Sequence, residues 1–320
     1  MTQRFSTFTL AAFLAVLAAA QDSRVRGQES GKVTPLPAPH SPPAGNDLIT
    51  QASTRLAAEP AISADLRYRI DAYGHELIGT GSYLQLASGA NRLLKLELKM
   101  QVEGKPVLLQ EIRGEDFYWI RRDIPPNPPW LGRVNLRQLK SSLDPTADNS
   151  SDVLPQGGWI VLGGLPRLLS SLANNFEFDA PRAEELEHYA ADGQTIESSP
   201  IWVLAGRWKP ARLKALTGSD STKPSDLPEQ LPDRVEVILG RTEKLVLLFP
   251  YRVTYWRTPK AESTARPGVS ESRKLLTLDL FNVTRQEIDP GQFRFDAPDQ
   301  DILDLTASYI QRAGAETKLR

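Results

Sequence analysis

The chain has 320 residues, of which 40% are hydrophobic, enough for one large domain or two small ones. Its 38 Lys and Arg against 39 Asp and Glu leave a net charge of -1. That balance supplies no basic patch or stripe to hold nucleic acid or an anionic surface. There is no cysteine, so disulfides, a lipid-bearing cysteine and cysteine-type zinc sites are all excluded.

Residues 1–20 read as a secretory signal. Arg4 is the positive region, Phe8 to Leu17 is the apolar run, and Ala18-Ala19-Ala20 is the small-residue cleavage pattern. The run is shorter than the roughly 20 residues a membrane span requires, and no later segment could span after its removal. The mature protein is therefore expected to be exported and soluble in the periplasm or cell envelope, with cleavage near Ala20. Residues 21–46 turn polar and then proline-rich, which predicts an extended, disordered linker carrying His40.

A domain is expected over 47–312, with a polar tail at 313–320. Leu48, Ile49, Ala52 and Leu56 predict a short helix ended by Pro60. Leu66, Tyr68, Ile70 and Ala72 alternate with Arg67, Arg69 and Asp71 as a strand, and Gly79-Thr80-Gly81 is expected to turn into Ser82–Leu86. Leu94, Leu96, Leu98, Met100 and Val102 alternate with charged or polar residues, Gly104-Lys105 turns into Pro106–Arg113, and Gly114–Asp116 turns into Phe117–Arg121. Period-two alternation with tight turns predicts an antiparallel meander.

The prolines of Ile124–Trp130 are expected to break the sheet, with two helices following. Leu136, Leu139 and Leu143 mark the first; Leu165, Leu168, Leu169, Leu172 and Phe176 give the second a strong apolar face. Phe176–Pro181 echoes Phe293–Pro298 at five of six places and suggests equivalent edge strands. Arg182–Glu197 is acidic and reads as exposed. A strand at Ile201–Arg207, a helix at Pro210–Leu216, and two strands or a hairpin over Arg234–Arg257 come next. The long strand Leu275–Val283, a turn and a short Phe-x-Phe strand ending at Pro298 close the sheet, and 301–312 reads as a helix or an irregular tail. The expected fold is α+β, mainly antiparallel β, with about ten strands.

No G-x-S-x-G elbow, H-E-x-x-H pair or P-loop is present. His40, His75 and His188 are scattered, and Glu184, Glu185 and Glu187 read as a solvated face. No catalytic residue, metal ligand or cofactor is assigned, and no enzyme is expected. An antiparallel sheet with one apolar face and apolar helices either closes into a dry core or stands partly open to hold an apolar ligand.

Three segments carry a family resemblance: Gly81-Ser82-Tyr83-Leu84-Gln85, Phe117-Tyr118-Trp119-Ile120, and Asp289-Pro290-Gly291-Gln292-Phe293-Arg294-Phe295-Asp296-Ala297-Pro298. With the order of elements they make the chain similar to the LolA-like family of periplasmic lipoprotein-sorting carriers and lipid-carrying envelope proteins, as a divergent member. In place of that family's Arg-Pro-Gly turn stands Arg121-Arg122-Asp123-Ile124-Pro125-Pro126. The resemblance implies a curved, incomplete β-barrel whose concave face is covered by helices. It also implies an apolar cavity that takes a lipid or the acyl chain of a lipoprotein. The inward residues expected to line it are Leu94, Leu96, Leu98, Met100, Ile112 and Trp119, with Leu168, Leu169 and Leu172 from the covering helix. The alternative is an envelope sensor that uses the same fold to bind a protein partner.

Overall fold

The computed structural model describes residues 44–72, 75–88, 91–102, 104–142, 163–189, 196–217, 227–228, 231–242, 246–258, 272–295 and 301–311. The expected signal, most of the linker, the loops at 144–152 and 218–226, Pro298 and the tail beyond 311 lie outside them.

Helix α1 (Gly45–Ala58) opens the described chain. It takes in Gly45 and Asn46, which composition had placed in the linker. Strands β1 (Ala61–Ala72), β2 (His75–Ser88), β3 (Asn91–Val102), β4 (Lys105–Arg113), β5 (Phe117–Asp123) and β6 (Trp130–Asn135) follow as an antiparallel meander. The prolines at 125–129 interrupt the ladder without ending the sheet: Trp130 pairs straight back with Arg122, a strand the sequence reading missed. Gly79 and Gly81 sit inside a continuous β2 and make no turn. A side chain at Gly81 would meet the Glu97 carbonyl oxygen at 1.7 Å, so these glycines let β2 and β3 approach closely.

Helices α2 (Leu136–Ser142) and α3 (Leu165–Asn175) carry the chain across to the opposite edge of the sheet. There β7 (Phe176–Phe178) and β8 (Arg182–Tyr189) both pair with β9 (Ile196–Trp208). Helix α4 (Pro210–Thr217), β10 (Arg234–Gly240), β11 (Pro250–Arg257) and β12 (Arg273–Thr284) then bring it back to β1. Last, β13 (Ile302–Asp304) adds parallel to β6, followed by a helical turn at 306–311. Among the described residues thirteen strands join one sheet whose end strands, β13 and β7, do not pair with each other, so it is large, curved and unclosed. The three strands beyond the expected ten are short or follow prolines, where alternation has too few residues to show.

Bulges help to curl the sheet. Register shifts occur where β1 meets β12, β10 meets β11 and β11 meets β12. The first contains Asn282 at φ 50, whose side-chain amide donates to Asp65 Oδ2 at 2.8 Å. Asn tolerates this left-handed conformation better than other non-glycine residues, and a bulge strengthens local twist.

The closing segment does not form the expected Phe-x-Phe strand. Pro290–Phe293 is a 3-10 turn capped by Asp289, whose Oδ1 accepts from the Gly291 N–H at 2.8 Å. Residues 285–295 cross the convex face as a strap. Ile288 and Phe293 bury with Ala61, Leu93 and Ile112, while Phe295 stacks on Trp119 at 5.3 Å. Phe176 and Phe178, their echo, lie in the concave core, with Phe176 4.2 Å from Trp208. The two segments are therefore not equivalent edge strands.

Candidate functional site

The concave face gathers the main core. Leu66, Tyr68 and Ile70 from β1, Tyr83 from β2, Leu94 and Leu98 from β3, and Tyr118 and Ile120 from β5 bury there with α1, α3 and β10–β12. Of the nine residues expected to line a cavity, Leu94, Leu96, Leu98, Leu168, Leu169 and Leu172 belong to this cluster or pack against it. Met100 is buried on the same strand at 6% exposure. Ile112 and Trp119 are corrected to the convex face: they pair with each other and with Lys95 and Arg133, and they pack under the strap. A one-residue difference in phase turns every side chain over. Here both faces carry apolar residues because both are covered, so alternation in β4 and β5 could not choose between them.

Helices α1 and α3 run antiparallel and are pinned at their ends. At one end Asn46 donates to the carbonyls of Ala173 (3.2 Å) and Phe176 (3.0 Å), and its oxygen accepts from the Phe178 N–H at 2.7 Å. The Lys209 ammonium also donates to Ala173 O at 2.7 Å. At the other end the Leu165 N–H donates to the Tyr83 hydroxyl (3.2 Å), which donates to Gln85 Oε1 (2.8 Å). The Gln85 amide donates in turn to Leu56 O at 3.0 Å, the last turn of α1. Arg92 also reaches the carbonyls of Leu56 and Ala57. Helix ends leave unpaired N–H and C=O groups, and this buried relay satisfies one from each helix on β2. Midway, the Ser53 hydroxyl donates to Pro166 O at 2.7 Å. The tight turn before α3 uses Gly164 at φ 76, where a side chain would strike the Tyr83 hydroxyl at 2.4 Å.

The concave face is not uniformly buried. Leu77, Leu96, Leu109 and Leu168 pack against the core yet remain partly exposed, while Leu94, Leu98, Leu165 and Leu169 beside them in sequence are buried. Leu96 sits directly between Tyr83 and Glu111 in the ladder, and Leu109 between Leu98 and Arg122.

The sequence reading missed the polar groups on this face. The signal for Glu111 was its phase, in step with Val107 and Leu109. Glu111 keeps some exposed surface, and its carboxyl faces the buried Tyr118 hydroxyl, which hydrogen-bonds to it. Burial pushes the Glu111 carboxyl up, while the nearby Tyr118 hydroxyl and Arg122 guanidinium pull it down. Burial, and then the Glu111 charge, push the Tyr118 phenol well above its ordinary value. Arg122 lies 5.2 Å from the Trp130 ring centre. Burial lowers Arg113, and the like charge of Arg92 adds to the effect.

Among the described residues no group of three or more His, Asp or Glu could hold a metal ion, and no helix is long and apolar enough to cross a membrane. Glu184, Glu185 and Glu187 lie exposed on β8.

The molecule is thus a curved, unclosed antiparallel sheet with a helix pair pinned over its concave face. No family model and no curated protein matches the chain. Among solved structures it is similar to a DUF1329 family protein from Desulfovibrio piger, with 11% identity over 78% of this chain and 95% of that one and a TM-score of 0.31. It is also similar to the Mycobacterium tuberculosis lipoprotein LppX, with 11% identity, coverage of 77% and 97%, and a TM-score of 0.35. A domain described as outer membrane lipoprotein-sorting, from Vibrio parahaemolyticus, matches with 10% identity, coverage of 78% and 95%, and a TM-score of 0.28.

Proposed function

We propose that residues 47–312 act as one unit, exported to the cell envelope, that reversibly carries a lipid or the acyl chain of a lipoprotein between the sheet and the α1–α3 pair. The observation that carries this reading is the set Leu77, Leu96, Leu109 and Leu168, apolar residues on the core face that the protein itself leaves partly uncovered. Burying an acyl chain against them contributes about 0.8 kcal/mol per CH₂, so non-covalent carriage needs no catalytic group. The helix pair, held through hydrogen bonds at its ends, is the element that would shift to admit a chain. Native mass spectrometry of the gently purified protein tests the reading: bound acylated species are expected, and a chain that neither retains nor takes up such a ligand rejects it.

A second reading, an interaction or sensor protein, is favoured by the open edge at β13, where Ile302 and Leu303 stay 36% and 51% exposed. Recovery of one envelope protein in a pull-down unaffected by delipidation would support it.

A further inference from the structure

One end of the gap between sheet and helices carries positive charge without a counter-charge. Arg113 ends β4 on the concave face, directly opposite Leu94 on β3 and Tyr118 on β5. Arg92 stands two residues from Leu94 and so shares that face. The two guanidiniums differ in what they hold. Arg92 donates to Leu56 O at 3.1 Å and to Ala57 O, at the end of α1. Arg113 is partly buried, and among the described residues its guanidinium makes no hydrogen bond or ion pair. The carboxyl two positions back, that of Glu111, is engaged instead with Tyr118 and Arg122. The Arg113 nitrogens are nonetheless not sealed from solvent. A side chain at Gly163 would lie 4.0 Å from Arg113 Nη1, so the guanidinium sits beside the turn that starts α3. Resting on the carrier reading, we infer that Arg113, with Arg92 beside it, binds the carboxylate or phosphate oxygens of an anionic acyl lipid at this end of the gap.

A guanidinium presents five N–H donors in a fixed fork that matches two oxygens of a carboxylate or phosphate. Drawing an unpaired charge out of water costs free energy, and a second positive charge nearby adds to that cost. Both conditions hold here, since burial and then the like charge of Arg92 lower Arg113. An acidic head relieves both at once, which a neutral head cannot do. Leu109 lies four residues before Arg113 on β4, and Leu96 pairs with Glu111 between them; both leucines are partly uncovered. Four residues of strand span roughly 13 Å, so a chain anchored by its head at Arg113 runs over these leucines. Further in, the Glu111 carboxyl already resists ionisation through burial, and a second anion there would add repulsion. The head therefore belongs at Arg113 and the tail beyond it.

The test offers the full-length chain equal amounts of oleate and oleyl alcohol, which share a tail, at about pH 8, where a carboxylate is ionised. Native mass spectrometry reads the ratio bound. The native chain is expected to favour oleate by at least about tenfold, the scale of a hydrogen bond to a charged group. Arg113→Gln should bring the ratio to within about twofold of unity while still binding the alcohol, which also reports that the variant is folded. Arg113→Lys should keep part of the preference, since it holds the charge but loses the fork. Lys105→Gln removes an exposed cation at the far end of β4 and should leave the ratio unchanged. A native ratio near unity overturns the anion site while leaving carriage standing. So does a ratio that Arg113→Gln leaves unchanged, or that Lys105→Gln lowers as far. If Arg113→Gln binds neither probe, Arg113→Lys decides, and a full native preference there overturns the site. Inorganic phosphate bound as tightly as oleate would assign the site to a small anion without a chain and overturn it too. Failure of the native chain to bind either probe overturns this inference, and overturns carriage as well if no acylated species is retained on gentle purification.

Discussion

The two faces of the sheet are covered in different ways. On the convex side an irregular strap fills its groove: Phe293 is 3% exposed, Ile288 is 4% exposed, and Phe295 stacks flat on Trp119. On the concave side two regular helices satisfy most of their hydrogen bonds internally and touch the sheet's polar groups only through a few side chains. There the leucines are unevenly buried. Irregular backbone moulds itself to a surface, whereas a helix meets a curved sheet as a stiff rod. The convex cover therefore packs its apolar side chains more fully than the concave one does.

The largest expected effect should separate the two sides. Phe293→Ala removes a buried ring from the strap and should destabilise the protein by about 3–5 kcal/mol in urea unfolding. The variant should bind lipid as the native chain does under conditions where both are folded; a selective loss of binding would break the contrast. Leu169→Ala, on α3, should lose about 2–5 kcal/mol. Tyr83→Phe should come next, at about 1–3 kcal/mol, because it strips the acceptor from the Leu165 N–H and the donor from Gln85. Hydrogen exchange should quicken across α3 and leave the strap unaffected. Uniform acceleration over the whole chain would argue against a separately hinged helix pair.

Glu111→Gln tests the partly buried carboxyl through pH. Burial raises the folded-state value above the ordinary 4.5, so folding favours the protonated form. The carboxyl's relative contribution is fully present below the unfolded value and is lost as pH rises through the folded one. The variant escapes that loss. Its thermal midpoint should therefore gain on the native protein as pH climbs from about 4 toward neutrality. A gap that does not change with pH would show that Glu111 ionises in the fold as freely as in the unfolded chain. The smallest effect on stability should come from Leu96→Ala, under about 1.5 kcal/mol, because that side chain is already partly exposed. It should nonetheless weaken acyl-lipid binding measurably in titration calorimetry.

By itself the sequence determined the local elements. Strict alternation in Leu94–Val102 and the i, i+3, i+4, i+7 leucines of 165–172 have only one way to bury their apolar sides, so β3 and α3 were legible. The order of elements likewise sufficed for an antiparallel sheet with helices set midway. Tertiary structure alone decided which face of β4 and β5 looks inward, since Ile112 and Trp119 are as apolar as an inward residue and become so placed only because the strap covers them. It also decided the fate of Phe293–Phe295, whose alternation fits a strand but whose backbone turns at Asp289 and Pro290. The pairing of Tyr83 with the start of α3, 82 residues away, depends on a contact distant in sequence. No local pattern encodes whether a polar atom far along the chain will find its partner.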